Sequence, residues 1–349
     1  MKKLVSLLAA CSTVFACCAL CACTGKNHKD TTDSERLKEV VVYTYDSFAG
    51  EWGPGPELSK KFAERTGLTL TFIDCGDAIQ VLNRAILEKD AVQADVIVGI
   101  DNNSADQARE AGILEAYTPK ELDRLVDTSL RHELDDSGLI TPYDFGHFAM
   151  IYDTQATVPP PHSLEDLTKD IYRKKIILMD PRTSTPGLGF VAWTVSALGS
   201  QNIESYWKRL APNILSMTAG WSEGWGMFLE GEAPLVISYT TSPAYNVEYE
   251  NTDRYVTLLF DEGHVRQVEG YALLTGAPNP KGAKQFMDFL ISGEAQETLP
   301  LTQWMYPANA SIALPESYHK AAPLPAKTLA TDSKASARAV DMVAGILGK

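Results

Sequence analysis

The sequence predicts an α/β protein of two lobes with a cleft between them, and three observations carry that prediction. Apolar strand-like runs alternate with amphipathic helical stretches from Lys38 onward. The same alternation restarts in the second half, and two extended segments, 141–153 and 263–274, join the halves. A chain that crosses twice between lobes makes a hinge, and a hinge makes a cleft.

The elements follow in order. VVVYTY reads as a buried strand, and after the Gly/Pro loop 53–56 the run ELSKKFAERTG places Leu58 and Phe62 on one helical face and stops at Gly67. LTLTFID alternates as a second strand, QVLNRAILEKD is helical through Val81, Leu82, Ala85 and Ile86, and ADVIVGID is a buried strand ending at Asp101. Such a βαβαβ run implies a parallel sheet with right-handed crossovers, and ligands of parallel sheets sit beyond the carboxyl ends of the strands. In the second half SLEDLTKDIYRKK reads as a helix, IILMD as a strand, GLGFVAWTVSALG and SEGWGMFLEGE as helices, and LVISY as a strand. The second crossing returns the chain to the first lobe, where KGAKQFMDFLI is amphipathic through Phe286, Phe289 and Leu290. A proline-rich connector then leads to a last helix over 336–347. The expected division is 38–145 with 266–349 for lobe 1 and 146–265 for lobe 2.

The first residues, MKKLVSLLAACSTVFACCALCAC, have two lysines and a short apolar run, the layout of a secretory signal over 1–22. Leu20-Cys21-Ala22-Cys23 resembles a bacterial lipobox, which makes Cys23 the expected lipidated N-terminus and 23–37 a polar tether to the membrane. Five of the six cysteines lie at or before position 23, so Cys75 is alone in the globular part and no internal disulfide can form. The formal charge of −14 opposes nucleic-acid binding and favours cationic partners. No zinc spacing, P-loop or internal repeat is present.

The candidate site lies at the strand ends. Tyr45 and Asp46 follow the first strand, Asp77 the second and Asp101 the third; the second half adds Ser184, Thr185, Trp221, Tyr239 with Thr240, Thr241 and Ser242, and Tyr245, and the region near the C-terminus adds Trp304. Each has a plainer role open to it: a core aromatic for Trp221 or Tyr239, a helix cap for Asp101, Ser184 or Thr185. Their convergence on one crevice favours a ligand. Aromatic faces stack on planar rings and attract cations, and carboxylates accept from amino groups, so the expected ligand is flat, heteroaromatic and positively charged.

The strings VYTYDSFAGEWGPGP, ADVIVGIDNN, DPRTSTPGLG, GWSEG, ISYTTSPAY and QWMYP resemble, in the same order from about Val40 to Pro307, segments of the periplasmic thiamine-binding proteins, solute receptors of the thiamine ABC importer. The resemblance implies the type 2 periplasmic binding fold, a monomer that needs no cofactor and performs no catalysis, and a ligand that is thiamine or its mono- or diphosphate. It implies ligand contacts at Asp77, Ala78, Ser184, Thr185, Trp221 and Tyr239 through Pro243, with Tyr45, Tyr245 and Trp304 stacking on rings, and delivery to a membrane permease. Ala78 stands where the family often has glycine. Ser184 and Thr185, at a helix N-terminus, are expected to receive the hydroxyethyl or phosphate end of the ligand. Two other readings remain open: a thiamine-degrading enzyme of similar fold using Cys75 as nucleophile, and a receptor for ferric ion or another cation. His147 and His264 are expected to be hydrogen-bonded structural groups.

Overall fold

The computed structural model describes residues 35–348, so the expected signal segment, the start of the tether and Cys23 lie outside the described residues. In the first half β1 (Glu39–Thr44), α1 (Gly55–Thr66), β2 (Thr69–Asp74), α2 (Ala78–Leu87) and β3 (Val96–Asp101) follow the expected order, and α3 (Ala105–Ala111) and the short β4 (Leu114–Glu115) come after them. Helix α4 (Thr128–Leu134) leads into β5 (Thr141–Asp153), the first crossing strand. The second lobe holds β6 (Ile176–Met179), α5 (Thr185–Leu198), α6 (Ile203–Leu210), β7 (Ile214–Thr218), α7 (Trp221–Leu229), β8 (Leu235–Tyr239), α8 (Pro243–Tyr249) and β9 (Tyr255–Leu258). The return crossing is β10 (His264–Leu274), followed by α9 (Pro280–Leu290), β11 (Tyr306–Pro307), β12 (Thr328–Leu329) and α10 (Ser333–Leu347).

The strands run in the order β2-β1-β3-β10-β5-β8-β6-β7. On one side β1 pairs in parallel with β2 and β3, and on the other β6 pairs in parallel with β7 and β8. Between these parallel sets lie the antiparallel crossing strands. The first half of β5 pairs with β10, and its second half with β8 and β9. Thirteen residues of β5 therefore pass from one lobe into the other without a break.

Each lobe has its own core. In the first, Phe62 packs against Phe286 and Phe289, and Phe48 against Phe72 and Tyr143. In the second, Trp193 and Trp207 both pack on Phe190, and the Trp193 indole N–H donates to the Gly263 carbonyl at 2.8 Å. Gly189 belongs here because a methyl group at its position would lie 2.2 Å from the Phe148 ring.

Three expectations change. Residues 163–175 do not form one helix but two single turns of 3₁₀ helix, Glu165–Thr168 and Asp170–Tyr172. Their side chains hydrogen-bond the local backbone: the Asp166 carboxylate accepts from the His162 N–H, the Ser163 hydroxyl accepts from the Asp166 N–H, and the Thr168 hydroxyl donates to the Glu165 carbonyl. Such bonds compete with a continuous helix. Second, the last helix begins at Ser333 rather than near 336. Third, that helix packs on the second lobe, not the first: Ala335, Ala339 and Val343 are buried in the second core against α5 and α6. The connector before it explains the change, since β12 pairs with the His264 end of β10 and so carries the chain back across the joint.

Candidate functional site between the lobes

Asp77 follows β2 and caps α2, closing a capping box in which Gln80 accepts from the Asp77 N–H at 2.9 Å. The preceding Gly76 has φ +95°, and a Cβ there would collide with Gln80. The turn thus aims the Asp77 carboxylate across the cleft. One oxygen accepts from the Thr185 N–H at 2.9 Å and the other from the Trp221 N–H at 3.0 Å. Two helix N-termini of the second lobe, α5 and α7, converge on one carboxylate of the first, the geometry that dipoles and unpaired N–H groups favour. Gly220 permits the approach, for a Cβ at its position would lie 3.3 Å from the carboxylate. Burial still raises the Asp77 pKa to about 6, against the opposing pull of the Thr185, Trp221, Ser184 and Ala78 donors.

This changes the expected role of Ser184 and Thr185. Their helix terminus does face the cleft, but the Thr185 N–H is held by Asp77. What remains are two buried hydroxyls, Ser184 beside Asp77 and Thr185, neither with a hydrogen-bond partner of ordinary geometry. Ala78 is buried at the first position of α2, and its N–H is taken by the Asp77 side chain at 2.7 Å.

Trp221 extends the site. Its indole stacks on Trp225 with centroids 5.7 Å apart and planes 12° from parallel, and its N–H donates to the Ser238 hydroxyl at 2.8 Å. Ser238 in turn meets Ser242 at 2.7 Å, and the Ser242 hydroxyl accepts from the Tyr239 N–H. The turn from Tyr239 to Pro243 is thereby tied to Trp221. Thr240 and Thr241 are buried within it, the Thr240 hydroxyl without a partner, and Pro243 opens α8.

Tyr239 packs on Phe148 and donates from its hydroxyl to Gln267 at 2.8 Å. Its pKa is pushed well above the usual tyrosine value by burial and by the charges of Glu269, Asp77, Asp101 and Asp144, so its hydroxyl stays a donor. Tyr45 lies in the same neighbourhood, its hydroxyl 2.7 Å from that of Tyr143 and accepting from the Gln303 amide. Sequence reasoning missed Asp144, Glu269, Gln267 and Tyr143, all on the crossing strands. The available signal was an acid, Asp144 or Glu269, in the middle of each mostly buried crossing segment.

A third patch is aromatic. Tyr245 and Tyr249 of α8 meet Trp304 edge to face at 5.4 and 5.6 Å, and Trp304 lies nearly parallel to Tyr318. Trp304 has φ +58°, a left-handed conformation rare for a bulky residue and characteristic of functional sites. The half-buried ring packs between α8 and Tyr318, against a small cluster of Ala244, Tyr306, Tyr318 and Ala322.

Two residues are less available than expected. The Asp101 carboxylate turns inward: one oxygen accepts from the N–H groups of Asn103 and Ser104 and from the Ser104 hydroxyl, the other from the Asn103 side-chain amide, so it shapes the turn before α3, whose N-cap is Ser104. Asp46 accepts from the next N–H at 2.6 Å and shapes its own turn. Burial pushes the Cys75 thiol up despite Arg84 at 3.5 Å, which leaves it a poor nucleophile. His264 joins the Phe260 N–H to the Phe148 carbonyl, and His147 binds Thr328, both as structural links.

Comparison with known proteins accords with this geometry. The family model of bacterial extracellular solute-binding proteins matches residues 93–331. The chain is 41% identical over 293 residues to the thiamine-binding periplasmic protein of Brucella abortus biovar 1 (strain 9-941), covering 83% of this chain and 85% of that one. Its counterpart in Escherichia coli (strain K12) is 38% identical, with 80% and 84% covered. A solved periplasmic thiamin binding protein superimposes with a TM-score of 0.83 at 35% identity, covering 89% of this chain and 96% of that one. The fold and cleft define the chain as a solute-binding protein of the type 2 periplasmic class, and these relatives are binding proteins rather than enzymes. Within that class it belongs to the periplasmic thiamine-binding protein family.

Proposed function

We propose that this protein captures thiamine, and its phosphate esters, between its two lobes and delivers it to the permease of an ABC importer. The observation that carries the reading is the meeting of acids and aromatic rings from both lobes at one joint: Asp77 held by Thr185 and Trp221, Tyr239 among four carboxylates, and Trp304 boxed by Tyr245 and Tyr249. Thiamine is a flat, permanently cationic pair of heteroaromatic rings, and it matches such a set in shape and charge. Site residues in this reading are Tyr45, Asp77, Ala78, Ser184, Thr185, Trp221, Tyr239 to Pro243, Tyr245 and Trp304, with Asp46 and Asp101 shaping the adjoining turns. Lobe 1 comprises 38–145 and the chain from 266 to about 330, and lobe 2 comprises 146–265 with the last helix.

The relatives are periplasmic, and no described helix is long and apolar enough to cross a membrane. We place the receptor outside the cytoplasm as a monomer tethered through a lipid on Cys23. Binding requires no chemistry. A ligand that touches both lobes stabilises their closed arrangement by the difference in its free energy between open and closed states, and the permease reads that arrangement.

Tryptophan fluorescence tests the reading, because Trp221 and Trp304 are both among the proposed site residues. Thiamine should change the emission saturably, and pyrithiamine, a close cationic analogue, should compete. A linear response with no saturation rejects the reading. Replacing both Ser184 and Thr185 with Ala should weaken thiamine monophosphate more than thiamine; equal losses reject their assignment to the phosphate end.

A further inference from the structure

At the centre of the joint the two crossing strands place Glu269 of β10 directly opposite Asp144 of β5, as register partners in an antiparallel pair. Both are buried. Neither oxygen of Asp144 has a hydrogen-bond partner of ordinary geometry, although Glu269 and Gln303 stand beside it. Glu269 has the Gln267 amide at 3.4 Å and the hydroxyls of Tyr45 and Tyr143 nearby. The charge of Asp144 is felt at Tyr45, Tyr143 and Tyr239, so its carboxylate faces the same rings that line the joint. Asp77 and Asp101 add like charge to Glu269. A buried carboxylate without donors, set against a second carboxylate, is costly unless a proton or an external cation compensates it.

We propose that the Asp144–Glu269 pair is the cation-reading element of the cleft: the empty site holds a shared proton, and an organic cation entering it displaces that proton to solvent. This rests on the receptor reading above and deepens it by naming the groups that recognise charge. The physical basis is substitution of one positive charge for another in a site that water does not reach. Burial and mutual repulsion keep the pair protonated in the empty site, with Glu269 pushed up to about 8 and Asp144 raised well above the usual carboxylate range. A bound cation favours the charged pair and lowers both. A neutral ligand of the same ring shape would leave the proton in place.

The test is isothermal titration of the full mature protein with thiamine at pH 7 in buffers of different ionisation enthalpy. The apparent enthalpy should vary with the buffer, with a slope corresponding to release of about one proton per ligand. The neutral hydroxymethyl aminopyrimidine half of thiamine should give a slope near zero. Asp144→Asn should remove most of the release and weaken thiamine by ~10-fold or more while changing the neutral pyrimidine far less; Glu269→Gln should act in the same direction and serves if the first variant folds poorly. Thiamine binding with the same enthalpy in every buffer overturns the inference and leaves the receptor reading standing, as does an equal loss of both ligands in a folded variant. Absence of any thiamine binding by the unaltered protein overturns the receptor reading itself, and this inference with it.

Discussion

Asp77 joins three local roles in one side chain: it caps α2, it binds the first N–H of α5, and it binds the first N–H of α7. Replacing it with Asn keeps the shape but turns one acceptor into a donor facing a backbone N–H. Hydrogen bonds to a charged group are worth about 1.5–3 kcal/mol, so Asp77→Asn should weaken thiamine by roughly 10- to 100-fold in a calorimetric titration. An unchanged affinity would show that the contact does not support the bound state. The sequence placed Asp77, Ser184, Thr185 and Trp221 in one crevice because each sits at a strand or helix end. It did not reveal that Asp77 takes the Thr185 and Trp221 N–H groups, the first of them at the helix terminus expected to meet the ligand, since partners 108 and 144 residues apart in the chain leave no local trace. Asp101 shows the reverse: its side-chain hydrogen bonds all close within three residues, yet they form the turn before α3 and do not cap that helix, whose N-cap is Ser104.

At the scale of elements, α5 is fitted against the crossing strand with no spare volume. Gly189→Ala would bring a methyl group into the Phe148 ring, and forcing extra atoms into a packed core costs about 1–3 kcal/mol. Chemical denaturation should show that loss, and unchanged stability would mean that the ring can move aside. Helix α10 offers a second test. Removing residues 333–349 uncovers the part of the second core that Ala335, Ala339 and Val343 cover, and exposing one fully buried valine alone costs about 1.5–3 kcal/mol. Truncation should therefore lower the melting temperature of the second lobe; no change would contradict the packing. The sequence placed a last helix after the proline-rich connector, but such a connector can lead to either lobe and names no partner for the helix. The segment 163–175 failed differently, because Ser163, Asp166 and Thr168 gave their backbone neighbours local hydrogen bonds that no apolar period reports.

Across the whole molecule, the joint between lobes is where charge, burial and motion meet. The alternation of strands and helices made the two lobes and both crossing strands legible. The acids within the crossings were hidden because they occupy positions that pattern alone assigns to the core. In this structure Asp77 is buried between the lobes and its pKa is raised from the ordinary 3.8 to about 6; we predict that opening the lobes exposes it and restores the lower value, so that the closed form holds more protons between those limits. The sign follows from linkage: in the ligand-free protein the closed fraction should fall as pH rises from about 4 to about 6 and then level off. Small-angle scattering across that range checks it, and a closed fraction that rose over the same interval would contradict the burial of Asp77 on closure.

The central claim is that acids and rings from two lobes hold one molecule of an organic cation. Its most direct test is a calorimetric titration of the purified mature protein with thiamine at neutral pH. The account predicts saturation at one ligand per chain with sub-micromolar affinity, about −8 kcal/mol or stronger. Absence of saturable heat at any practicable concentration and at more than one temperature would contradict it.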